Sequence, residues 1–455
     1  MSRLIIRHVD HLATFDGADT EHADCDLVAV DGVITAVGPG VAEGLEPSAG
    51  DHLVDGHGLV VLPGLVNAHQ HLYQGAFRAV PELERIEILP WLAGLGARVR
   101  AKFSAGAFGP EAVGAVATAV LTESLLGGQT TVADQHYFHP AGTTLPYVEA
   151  TIAAAEGLGV RLTAARGTLT LGPEPSVLQD VDEVVRHCAE LIAAHHDPAP
   201  FAMTRVALAP CGVHADQLEL FDELAALAAD HPEVRLHTHL YEVVDTDACQ
   251  ALYGTSPWEF LVEHGWAGPQ TWLAHVCDVP VAELPEMAAA GVSVAHLVAP
   301  DLRMGWGLAP LRAMLDADLT VGFGTTGSSS NDGANLLGDL RLAALAHRST
   351  DPDPMRWPSA RELLGAATRG SADCLGRPEI GRLEVGAAAD LAGWDMTAVD
   401  RVGVHDPVAG LVLTGLGSQA HLVAVAGRVL VEGGDPVGFD PHEIAARARE
   451  ALTPS

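Results

Sequence analysis

The chain has 455 residues, 48% of them hydrophobic and 18% charged, the balance of a folded globular protein and not of a disordered one. With 25 Lys plus Arg against 59 Asp plus Glu the formal charge is −34, which excludes a nonspecific nucleic-acid binder. No run approaches the ~18 apolar residues of a membrane span, the N-terminal stretch lacks a secretory apolar core, and the 6 cysteines form no CxxC pair, so a cytoplasmic protein with reduced thiols is expected.

From the N-terminus, Leu4–Phe15 and Asp26–Val37 read as short strands, with the turn pair Asp31-Gly32 inside the second. Eight apolar, β-branched runs follow: Leu59–His71, Thr130–Gln135, Val160–Gly167, Arg205–Cys211, Val234–Tyr241, Thr271–Asp278, Val292–Leu297 and Thr320–Thr326. Between them lie stretches of helical spacing, among them Pro110–Leu126, Val181–Ala194, Gln217–Ala229 and Ala334–Ala346. Alternating strands and helices predict an α/β protein built on a (β/α)8 barrel. Asp390–Trp394 and Ala420–Val431 return to the strand pattern. The expected organisation is therefore a barrel over residues 60–385 beside a small β-sandwich assembled from 1–59 and 386–455. Ala79–Ala107 is long for a βα loop, and Trp91 and Phe103 on it are placed to cover the barrel mouth.

The chemistry gathers at predicted strand ends. The first run ends in Asn67-Ala68-His69-Gln70-His71, where two histidines one apart share a face of the strand. The fifth ends in His237-Thr238-His239-Leu240-Tyr241-Glu242, the sixth in His275, and the eighth in Thr325-Thr326-Gly327. Four strands thus deliver polar groups to one rim, where core residues would be Val, Ile or Leu. Histidine is a common zinc ligand, and one of the fifth strand's pair can be the third ligand. Asn67, Gln70 and Gln74 flank the first pair and could donate to a ring or orient an imidazole, Trp91 and Trp306 could stack on a flat ring, and Cys211 at the rim reads as packing and not as a nucleophile; Gln74, Trp91, Cys211 and Trp306 are the expected substrate-binding residues. HExxH and a G-x-S-x-G elbow are missing from the sequence, and no glycine-rich run in it reads as a phosphate cradle.

This arrangement resembles the amidohydrolase superfamily over nearly the whole chain, from Pro63-Gly64-Leu65-Val66-Asn67-Ala68-His69-Gln70-His71 to Gly386-Ala387-Ala388-Ala389-Asp390-Leu391. At His237–Glu242, Met304–Pro310 and Gly324–Asp332 it is most similar to triazine hydrolases and to aminohydrolases of purine and pterin rings. The resemblance implies one divalent metal on His69, His71 and His239, zinc or else iron(II). It also implies Glu242 as proton shuttle and His275 as the residue orienting water or substrate. One departure stands on strand 8, where mononuclear deaminases carry a metal-binding aspartate and this chain has Thr326, a neutral residue that leaves the charge on the ion. Asp332 lies too far past the strand end to be assumed a replacement. Lys102 is the only lysine and sits far from strand 4, so a lysine-bridged pair of metals is not expected.

The expected reaction is displacement of an amine, chloride or thioalkyl group from a carbon of a nitrogen heteroaromatic ring. Metal-acidified water would be the nucleophile and Glu242 the acid–base group. Two alternatives stand beside it: a purine, pterin or pyrimidine aminohydrolase, and a noncatalytic metal-binding barrel. The expected partner is a small heteroaromatic molecule, with no nucleic acid and no membrane, and the family implies a homodimer.

Overall fold

The computed structural model describes residues 2–142, 144–172, 175–414 and 419–453. Eight parallel strands, Leu65–Gln70, Gln129–His136, Arg161–Thr168, Thr204–Pro210, Arg235–Leu240, Thr271–His275, Ser293–His296 and Thr320–Phe323, follow one another around a single sheet. Helices such as Pro110–Leu126, Tyr147–Leu158, Val181–His195, Leu218–Asp230 and Leu336–Ala346 connect them. Every residue of the first three strands is buried, as both faces of a parallel sheet should be. The barrel seam is joined by the backbone N–H groups of Thr325 and Thr326, which donate to the His69 carbonyl at 3.1 and 2.9 Å. Small residues of the barrel strands, including Ala68, Ala133, Ala165, Ala207 and Ala295, cluster with Trp272. The Trp272 indole donates to the Ala68 carbonyl at 3.0 Å.

The two termini build one nine-stranded mixed sheet. Leu59–Pro63 is its middle member, with Val60 opposite His11 and Leu62 opposite Ala392. Leu4, Ile6 and Leu27 share a core with Leu391 and Leu422, so the layers expected of a sandwich are stretches of one continuous sheet. The single run Leu59–His71 divides at Gly64, where the chain passes from terminal sheet to barrel. A Cβ at Gly64 would lie 2.2 Å from the Thr130 side chain, so only glycine fits. A buried pair fastens the two sheets: Arg161 donates to both oxygens of Asp390 at 2.5 and 3.0 Å.

Ala79–Ala107, expected as a loop, carries a 17-residue helix, Ile88–Ser104. Ile88, Trp91, Leu95 and Val99 form its buried stripe. Gly94 and Gly96, each costing ~1 kcal/mol relative to alanine in a helix, obscure that stripe in the sequence. Burial of the stripe outweighs the cost and places Trp91 over the barrel mouth. Among the described residues no helix is long and apolar enough to cross a membrane.

Candidate metal centre and its acid–base neighbours

The ring nitrogens of His69, His71 and His239 lie within 4.8 Å of one another at the carboxyl end of the barrel. All three rings are buried. What backs each ring fixes which nitrogen is free. His71 Nδ1 donates to the Gln135 carbonyl at 2.8 Å, and His239 Nδ1 to the Cys211 carbonyl at 2.5 Å. Each Nε2 is therefore a bare lone pair, and the two face each other at 3.3 Å. Two nitrogens each ~2.0–2.1 Å from a tetrahedral zinc are about 3.3 Å apart. For His69 the chain of donors is longer: Trp272 carbonyl accepts from His237 Nδ1 at 2.8 Å, and His237 Nε2 accepts from His69 Nδ1 at 2.8 Å. That leaves His69 Nε2 buried and without a partner among the described residues. Three converging lone pairs with no proton between them fit a divalent cation.

His237 thus stands behind the ligand set, stacked on Trp272 with ring centroids 4.2 Å apart. Burial and the neighbouring imidazoles push His69 and His239 well below the usual histidine value, and burial holds His71 at about 3. The triad is neutral at ordinary pH, as ligands must be.

A second group of rings is built the other way. His275 Nδ1 donates to Asp301 at 2.6 Å, and His214 Nδ1 to Asp245 at 2.7 Å. Their Nε2 atoms stand 3.6 and 3.8 Å from the two separate oxygens of Glu242. Burial alone would lower both imidazoles, but Asp301 raises His275, and Asp245 with Glu242 holds His214 up to about 9. Burial raises Glu242 above the ordinary carboxyl value, opposed by His275 and His214. Asp245 Oδ2 also accepts the Glu242 backbone N–H at 2.9 Å, which fixes the start of that loop.

Backbone strain collects here. Tyr241, His275, Val276 and Thr326 have φ of 56°, 71°, 54° and 51°, a left-handed conformation at the ends of strands 5, 6 and 8. Such residues cost of order 1–3 kcal/mol each and persist where the surroundings demand them. His275 and Thr326 line the cavity above the triad together with Gln74, Trp91, Cys211, His214, Glu242 and Trp306.

Most of the residues singled out in the sequence therefore meet in one cavity. Gln74 donates to the Tyr137 hydroxyl at 3.0 Å and accepts from Ser329. The indole N–H groups of Trp91 and Trp306 are buried without partners among the described residues, and Trp306 meets His275 edge-on. Burial, Asp216 and Glu242 push the Cys211 thiol well above its usual range, which excludes a ready thiolate. Asn67 and Gln70 both donate to Thr325 Oγ1, at 2.8 and 2.9 Å, and so join strand 1 to strand 8. Asp332 pairs with Arg303 at 2.6 Å, so its carboxylate is committed elsewhere. His214, Asp245 and Asp301 were not expected from the sequence. The narrow cavity adjoins an apolar chamber of about 500 Å³ under the Ile88–Ser104 helix, and the two share Leu92, Tyr137, Cys211 and His214.

A model of the amidohydrolase family matches residues 60–430. The chain belongs to the amidohydrolase family. It is 35% identical over 465 residues to the 8-oxoguanine deaminase of Pseudomonas aeruginosa, covering 100% of this chain and 99% of that one. It is 34% identical over 455 residues to the hydroxydechloroatrazine ethylaminohydrolase of Pseudomonas sp. strain ADP, covering 96% and 92%. The crystal structure of the atrazine chlorohydrolase TrzN from Arthrobacter aurescens TC1 complexed with zinc superposes with a TM-score of 0.96 at 53% identity, over 99% of this chain and 100% of that one. This amidohydrolase is a metal-dependent hydrolase with the expected barrel and an accompanying mixed sheet.

Proposed function

We propose that the chain displaces a leaving group, an amine, chloride or thioalkyl, from a carbon of a nitrogen heteroaromatic ring. One observation carries this reading: a buried carboxyl, Glu242, stands between two imidazoles beside three imidazoles whose Nε2 atoms are free of protons. His69, His71 and His239 would hold a divalent metal, zinc by its fit to the nitrogen spacing. When bound, that metal supplies acidified water as a nucleophile at neutral pH. Glu242 takes the proton of the attacking water and delivers it to the ring nitrogen or to the departing group, an acid–base role worth ~10²–10⁴ in rate. Protonated His275, anchored by Asp301, donates from Nε2 toward the oxygen that attacks or the charge that develops. Thr326 leaves strand 8 without a base, so the proton route runs through Glu242 alone.

Trp91 and Trp306 offer flat faces and unpaired N–H groups to a ring, and Gln74 offers an amide. The adjoining chamber, lined by Leu89, Leu92, Ala93, Leu95 and Val177, suits alkyl substituents on that ring. A triazine carrying alkylamino groups has both features. Likeness to a deaminase of 8-oxoguanine supports the second reading, a purine or pterin aminohydrolase. The test is to incubate zinc-loaded protein with atrazine, ametryn, melamine, guanine and a pterin, following ring absorbance and released ammonia, chloride or thiol. Turnover of the substituted triazines is expected; turnover confined to the nucleobase and pterin would replace the first reading with the second. The family also suggests a homodimer, checked by light scattering, and the sequence a cytoplasmic location, checked by fractionation.

A further inference from the structure

We propose that His214, held by Asp245, is a positioning residue for Glu242, the counterpart of His275 on the other carboxyl oxygen. This inference rests on the reading of Glu242 as the proton carrier. Four observations carry it. His214 lies in the loop after strand 4 and its ring is nearly buried, with a side-chain exposure of 10%. Its Nδ1 is engaged by Asp245 at 2.7 Å, so the ring cannot turn without losing a buried ion pair. Its Nε2 then has one carboxylate to face, Glu242 Oε2 at 3.8 Å, while His275 Nε2 faces Oε1 at 3.6 Å. Asp245 also takes the Glu242 N–H, so one carboxylate fixes both the backbone of Glu242 and the ring that addresses its side chain.

A carboxyl that must first accept a proton from water and then turn toward a ring nitrogen needs a defined resting orientation. Two imidazolium rings facing opposite oxygens at 3.6 and 3.8 Å supply it by their charge, and they favour the ionised form that accepts the proton. His214, Glu242 and Asp245 also have the composition of a cation site. Both oxygens of Asp245 already accept hydrogen bonds, from His214 Nδ1 and from the Glu242 N–H, which favours a proton-bearing ring over a second metal ligand.

The test uses the zinc-loaded full chain, with ametryn as substrate, and the variants His214→Asn, Glu242→Gln and His214→Gln. Asparagine keeps a donor for Asp245 and removes the group that faces Glu242. His214→Asn is expected to lower kcat roughly 10–100-fold, the range typical of residues that orient a site group, with KM and zinc content little changed. A crystal structure of this variant should show the Glu242 carboxyl turned away from its resting position. If His214→Asn does not fold, His214→Gln is measured instead, and its kcat is expected to fall below the wild-type value with zinc content little changed. An unchanged kcat with Glu242 undisturbed overturns the proposal. So does a second zinc per chain that the variant loses, since His214 would then be a ligand. Full activity in Glu242→Gln would instead overturn the proton-carrier reading itself, whatever His214 does.

Discussion

The metal side and the proton side of the pocket are both made of histidines, and what stands behind each ring separates them. Carbonyl oxygens back His71 and His239, and a neutral histidine backs His69. Carboxylates back His214 and His275. A carbonyl fixes the Nδ1–H tautomer without adding charge, so burial wins and the ring stays neutral, a ligand. A carboxylate offsets the burial cost of the cation, so the ring stays protonated, a donor. On the proposed reading, one residue type in one cavity thus serves two jobs, set by a single hydrogen-bond acceptor.

The difference can be broken at several points. The largest effect is expected from Glu242→Gln, which keeps the shape but cannot shuttle a proton: kcat should fall by ~10²–10⁴ while metal analysis shows zinc retained. Next comes His237→Asn, which removes the imidazole acceptor behind His69. Zinc affinity should weaken ~10–100-fold, measured by chelator competition, with kcat at saturating zinc much less affected. The two variants would separate the sides cleanly, one losing chemistry and the other losing metal. Thr326→Asp should leave the enzyme active or improve it, because it adds an acidic group at a strand end already facing the cavity; lost zinc in that variant would mean the site is built around threonine.

The smallest effect concerns stability. His214 is raised from 6.5 to about 9 in the folded chain, so the folded state holds its proton more tightly. Its contribution is complete below pH 6.5 and is lost as pH rises through about 9. Thermal melting of the wild type should therefore lose more stability across this window than melting of His214→Asn. Equal losses would show that His214 carries no extra proton when folded.

How much of this was legible in the sequence follows from where each residue sits. His69, His71, His239, Glu242 and His275 occupy strand ends, where a period of two and interrupted apolar runs announce a rim. His214 lies in a loop with no periodicity. Asp245 and Asp301 lie in the first turns of short helices, where an acidic residue is ordinary. Their meaning comes from tertiary partners 31 and 26 residues away in sequence. His237 reads as an equal candidate to His239 until Trp272 is seen to turn it behind His69. The Ile88–Ser104 helix was concealed by its glycines, whereas the division at Gly64 is marked by the turn pair Pro63-Gly64, although the crowding against Thr130 shows in no local pattern.

The most direct test of the account is anomalous diffraction at the zinc edge from crystals of the zinc-loaded protein. The account predicts one strong peak at bonding distance, ~2.0–2.1 Å, from the Nε2 atoms of His69, His71 and His239. A peak on His214, Glu242 and Asp245 instead, or none at the triad, would contradict it.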